Sequence, residues 1–144
     1  MDRRSDFKTF CDRSHDRGPN PPVCCFGFTG FSAAVSSQTL LVLTTCGSPA
    51  DAGSLATLLI EQRLAACVNA VERVASTYRW RDRVQTDQET LLVIKTTAAR
   101  YPQVEQAIRQ HSKYELPEVV AIPVTAGSSA YLDWVRESVA PNED

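Results

Sequence analysis

No apolar stretch in this chain approaches the ~20 residues a membrane-spanning helix needs, so no such span is expected. No sign of charge dominates either. Fifteen Lys and Arg stand against 17 Asp and Glu, a net charge of −2, whereas a nucleic-acid binder carries a basic face. There is no C-x-x-C pair. The five cysteines, Cys11, Cys24, Cys25, Cys46 and Cys67, are odd in number. Neither a disulfide framework nor a zinc site is indicated, and reduced thiols in a cytoplasmic protein fit better. G-x-S-x-G, P-loop and H-E-x-x-H motifs are all missing. The only histidines are His15 and His111. A Cys–His nucleophile pair would have to be Cys46 with His111, and the sequence offers no third group to orient it. The expectation is a protein that is not an enzyme.

What is present reads as one domain behind an extension. At 144 residues and 43% apolar, the chain has the length of a single domain with a core. Residues 1–38 differ from the rest. Arg3, Arg4, Lys8, Arg13 and Arg17 alternate with four aspartates, and Gly18-Pro19-Asn20-Pro21-Pro22 breaks any helix. A secretory leader, ending near Ser32-Ala33-Ala34, and a start later than Met1 are both weaker readings than a disordered extension. A domain over residues 39–140 follows.

In that domain Leu40-Leu41-Val42-Leu43 is a continuous apolar run, as in a strand buried on both faces. Ser48 suits a helix cap, Pro49 the first helical position and Asp51 the positive end of the dipole. This helix is expected to reach about Leu64, with Ala52, Leu55, Ala56 and Leu59 inward. Val68, Ala70, Val74, Tyr78 and Trp80 share one parity and hence one face of a strand. Arg81-Asp82-Arg83 makes the turn, and a return strand ends in Leu91-Leu92-Val93-Ile94. A second helix spans Tyr101 to Gln110, a strand Val119 to Val124, and a last helix starts near Ser129.

The order is β-α-β-β-α-β plus a C-terminal helix, an α+β ferredoxin-like antiparallel sheet with strand order 4-1-3-2. Its central strands are the most apolar, and Pro123 falls in an edge strand, where a missing donor is tolerated. RNA-binding modules of this order stack bases on aromatics of the central strands. Leu40–Leu43 and Leu91–Ile94 contain none. Each hairpin strand runs about 13 residues, or ~43 Å. A domain of this size has a radius of gyration of only ~13–14 Å. The polar part of the arm must then overhang its core, and another subunit is expected to cover it.

Between the second helix and the last strand lies His111-Ser112-Lys113-Tyr114-Glu115-Leu116-Pro117-Glu118. This connection is far richer in chemistry than a simple turn requires. Five segments in order, Arg63–Asn69, Tyr78-Arg79-Trp80, Leu91–Thr96, Tyr114–Glu118 with Ala121–Val124, and Tyr131–Trp134, together make the chain resemble the CutA family of divalent-cation tolerance proteins. The resemblance covers about residues 39 to 138. It implies a homotrimer with PII-like architecture, long hairpins pairing between subunits, and a role in tolerance of copper and other divalent metals. The chain departs from that family where Ser112 and Lys113 stand, positions at which a second histidine and a proline are common.

Three side chains are candidate copper(II) ligands: His111, Glu118 and Cys46. Imidazole and thiolate suit copper, and a carboxylate can complete the set. Each also has a plain structural role, as a helix end, a strand start and a small buried residue. A second reading is a PII-like sensor whose intersubunit clefts bind a small anionic metabolite through Lys95, Lys113 and Arg79. Trp80 and Tyr114 would then wall the pocket. A third is a trimeric scaffold. No nucleic acid or membrane partner is expected.

Overall fold

The computed structural model describes residues 36–141. Residues 1–35 of the expected 1–38 extension, with Cys11, Cys24, Cys25 and His15, lie outside them. The described chain forms β1 (Thr39–Cys46), α1 (Pro49–Glu61), β2 (Cys67–Trp80), β3 (Arg83–Thr97), α2 (Tyr101–His111), β4 (Val120–Pro123) and α3 (Ser129–Ser138). The sheet order is β2-β3-β1-β4, and each neighbouring pair is antiparallel. This is the ferredoxin-like arrangement expected from the sequence, with the apolar strands central and Pro123 on the edge strand β4.

Local chemistry sets the ends of α1. Ser48 caps it: its Oγ accepts the Asp51 backbone N–H at 3.1 Å and donates to Asp51 Oδ2 at 2.8 Å. The helix stops at Glu61, short of Leu64. Arg63 turns left-handed (φ 52°), and the Leu64 and Ala65 amides both close on the Leu59 carbonyl, at 2.9 and 3.1 Å. Leu64 stays in the core nevertheless.

The core lies between α1, α2 and one face of the sheet. Val42, Leu92 and Ile94 meet Ala52, Leu55, Leu59, Val104 and Ile108 there. α3 takes the opposite face at one end, against β3 and β1. It is anchored by the buried Val135 and Val139 and by Arg100 Nε, which donates to the Val139 carbonyl at 2.8 Å. The rest of that face is apolar and incompletely covered. Leu41, Leu43, Leu91 and Val93 are half-buried, and Val71, Val120 and Ile122 are 47%, 47% and 44% exposed.

β2 and β3 form the arm. They are 14 and 15 residues long, and β3 alone spans ~50 Å at ~3.3 Å per residue. β1 pairs with β3 only as far as Cys46 opposite Thr90, so the arm from Thr90 to its tip runs on without β1. The tip is a two-residue turn at Arg81 and Asp82, φ 47° and 62°, both left-handed as a type I′ turn requires. Asp82 tolerates that region as the sequence implied.

One expectation fails in the arm. Val68 and Ala70 do not share a face with Val74, Tyr78 and Trp80. Arg73 sits at φ 61°, and the register slips between Val71 (opposite Leu91) and Val74 (opposite Glu89). Two β2 residues face one on β3, a β-bulge. The bulge inverts the alternation beyond it. Ala70 lies over Leu92 on the core face, while Tyr78 lies over Gln85 on the other.

Candidate functional site

Where β1 stops, the sheet has a step. The α2–β4 loop, residues 112–119, turns into it and packs beside the arm. Tyr114 fixes the loop there. Its hydroxyl donates to Glu89 Oε1 at 2.6 Å, across 25 residues of sequence. Gly47 makes room for it: a Cβ at that position would stand 3.2 Å from the Tyr114 oxygen. Beside this bond Tyr78 donates to Asp87 Oδ2 at 2.5 Å.

Two hollows flank Tyr114. The smaller, about 60 Å³, is lined by Cys46, Gly47, Asp51, His111, Lys113 and Tyr114 among others. The larger is a groove of about 690 Å³ between the arm and the loop. Tyr78, Trp80 and Glu89 form its arm wall, and Tyr114, Glu115 and Glu118 its loop wall. Lys113 borders both but is already paired, its Nζ 2.8 Å from Asp51 Oδ1. At the outer end Arg81 Nη2 donates to Glu115 Oε2 at 3.0 Å, and the same guanidinium stands 5.7 Å from the Trp80 ring centre.

In the smaller hollow, His111 Nδ1 is 2.8 Å from the Ala107 carbonyl. A carbonyl only accepts, so in the neutral ring the proton sits on Nδ1 and Nε2 keeps the lone pair a metal needs. Burial, then the nearby Asp51 and Glu89 carboxylates, push the Cys46 thiol up from its ordinary pKa. It is a protonated thiol at neutral pH.

Residues 40–138 match the family of the CutA1 divalent ion tolerance protein. The chain is 44% identical over 98 residues to the divalent-cation tolerance protein CutA of Thermus thermophilus, covering 68% of this chain and 95% of that one. The chain belongs to the CutA1 divalent ion tolerance family. Protein CutA, chloroplastic, of Arabidopsis thaliana is 35% identical across 93% of this chain and 77% of its own length. Human protein CutA is 36% identical across 74% of this chain, which spans 59% of that protein's length. Solved structures agree. CutA1 of Oryza sativa superposes with a TM-score of 0.70 at 34% identity, covering 74% of this chain and all of that one. The Thermus thermophilus protein gives 0.68 at 43%, covering 69% and 97%.

Against the family expectation of a metal site, the fold gathers only part of the donor set. Cys46 and His111 line the same small hollow, whereas Glu118 lines the groove. Among the described residues no group of three or more His, Cys, Asp or Glu side chains is arranged to hold a metal ion. The three cations suggested for an anionic ligand are also apart within one chain. Arg79 pairs with Val84 near the arm tip. Lys95 lies eleven residues further along β3, ~36 Å away at ~3.3 Å per residue. Its ammonium instead points at Cys67 Sγ, 3.8 Å off. Cys67 is therefore half-buried beneath Lys95 and Tyr131, and not in the main core.

Sequence reasoning missed Glu89, Asp87 and Asp51. Glu89 and Asp87 looked like solvated residues of a polar strand. Their partners Tyr114 and Tyr78 face them only because of the loop's path and the bulge, neither of which has a local signal. Asp51 was read as a helix-end charge. It is that and also the counter-ion of Lys113.

The Tyr114–Glu89 bond makes a pH prediction. Burial first, then the Glu89 carboxylate, hold the Tyr114 phenol well above its ordinary value of 10.0. A group whose folded pKa is raised contributes stability below its unfolded pKa and loses it as pH rises. Stability is thus expected to fall from about pH 10 upward. Tyr114→Phe should flatten that slope in denaturant titrations at stepped pH. An unchanged slope would mean the phenol does not titrate in this setting.

Proposed function

We propose that this chain acts as a non-catalytic, homotrimeric divalent ion tolerance protein of the cytoplasm, and that it takes up copper(II) between Cys46 Sγ and His111 Nε2. The observation that carries the copper reading is that these two donors line one small hollow. The donor chemistry fits. Nε2 keeps the lone pair in the neutral ring and imidazole suits copper, while copper would have to displace the proton of the Cys46 thiol on binding, which weakens the site. Lys113, whose charge would repel a cation, is neutralised by Asp51. With two protein donors the site is open, so the remaining positions fall to water, and binding is weak. Glu118 contributes through its charge in the adjoining groove. Cys46 and Cys67 are free thiols, which supports a reducing compartment.

The trimer reading rests on the half-exposed apolar face and on the arm, which runs past its own core. Neighbouring copies that lie against the arm satisfy both.

Copper(II) titration of metal-stripped protein tests the site. His111→Ala and Cys46→Ser are each expected to weaken binding by on the order of tenfold, and Glu118→Ala by much less. Equal affinity in the native, His111→Ala and Cys46→Ser chains would remove the site.

A further inference from the structure

The groove beside the arm has a different chemistry from the small hollow and needs a different ligand. Its volume of about 690 Å³ is that of an organic ligand, since such pockets run ~300–1,000 Å³. Its charges do not balance. It is lined by Glu89, Glu115, Glu118 and one ammonium, that of Lys113. Lys113 is taken by Asp51 at 2.8 Å, and Glu115 by Arg81 at 3.0 Å. Glu89 and Glu118 are left without an ion pair among the described residues. Glu89 accepts one bond from Tyr114, which leaves lone pairs free for a further donor.

The uncharged lining is partly aromatic, beside Thr45, Ser76, Gln85, Leu116 and Pro117. Tyr78, Trp80 and Tyr114 line the groove, with both phenol hydroxyls engaged by carboxylates. Ring faces attract cations, most strongly once desolvated. The chain already does this at the groove's end, where the Arg81 guanidinium lies over Trp80 while bonding Glu115. An anion would meet two unpaired carboxylates and no free ammonium.

We propose that this groove binds a polyamine cation, with ammonium groups on Glu89 and Glu118 and the methylene spacer against the rings of Tyr78, Trp80 and Tyr114. A linear di- or triamine supplies both features the lining asks for, separated positive ends and an apolar, flexible middle. All the lining residues come from one chain. The site does not use the copper pair, and in the proposed trimer a neighbour lying along the arm closes its open side.

Isothermal titration of the full chain with spermidine, in EDTA to exclude metals, tests this. Saturable binding is expected, and none to sebacate, a dianion of similar length. Glu118→Gln, on an exposed loop, should weaken spermidine tenfold or more. Glu89→Gln, which keeps an acceptor for Tyr114, should do the same, and Trp80→Ala should weaken it several-fold. Glu137→Gln, on α3, removes a carboxylate elsewhere and should change nothing. Thermal melts of each variant establish that it is folded. No saturable spermidine binding, equal weakening by Glu137→Gln, or binding of sebacate in its place would each overturn the proposal.

Discussion

A Val71→Asp chain is expected to run in light scattering as a single 15.9 kDa particle, and the native chain, as the proposed trimer, at three times that mass. Val71 is 47% exposed at the base of the arm, opposite Leu91 on the incompletely covered face. In an isolated protomer a carboxylate there stays in water and costs little. In a trimer that buries this face it is placed in every interface at once, without a partner. Burying an unpaired charge costs several kcal/mol per ion after relaxation, and each 1.4 kcal/mol is about tenfold in association. The far-UV circular dichroism should remain native, because the core between the sheet and α1–α2 is untouched. A Val71→Asp chain that keeps three-chain mass would show that this face is not the interface. A native chain of single mass would remove the trimer altogether, while leaving the copper hollow and the groove intact, since each is built within one protomer.

Much of the fold was legible in the sequence because its signals are local. Ser48, Pro49 and Asp51 start α1 through contacts three residues apart. The continuous apolar runs of β1 and β3 mark them as central, and Pro123 marks β4 as an edge. The length of the arm could be counted. Legibility failed where a single backbone angle changes the reading of everything beyond it. Arg73 carries no glycine or asparagine signature, yet its left-handed φ sets the bulge. The bulge turns Tyr78 and Trp80 away from the face that Val68 and Ala70 line.

The site was half seen because its partners are distant in sequence. His111 ends α2, and Lys113, Tyr114 and Glu118 stand in the loop after it, a stretch whose density of functional groups is visible in sequence. Their partners Glu89 and Asp51 come from β3 and α1, and only tertiary structure brings them in. Lys113 shows the consequence. Read alone it is a charge that opposes a metal cation. Beside Asp51 it is half of an ion pair that also holds the loop to the start of α1.

Ile94→Ala is expected to be among the most destabilising single truncations in the chain, and Ile122→Ala to separate the protomer from the oligomer. Ile94 is fully buried between Val42 and Val68 in the sheet and packs under the helices. Its loss leaves a cavity that the surrounding strands cannot fill, at a cost of about 2–5 kcal/mol. That is a large share of the ~5–15 kcal/mol that holds a typical domain together. Ile122 has the same chemistry but is 44% exposed on the edge strand β4. In a lone protomer its truncation removes contacts that water already half replaces, so the expected loss is well under that of Ile94→Ala. In a trimer that covers the face, the loss reappears as weaker association. Folding stability then depends on protein concentration, because association stabilises only the folded chain. Urea unfolding at two protein concentrations distinguishes these cases. The Ile94→Ala deficit should be similar at both concentrations, and the Ile122→Ala deficit should shrink on dilution, as the native chain loses the association that the variant already lacks. If neither the native nor the Ile122→Ala midpoint moves with concentration, the half-exposed face has no partner in solution, and the arm is stable on the strength of its own pairing.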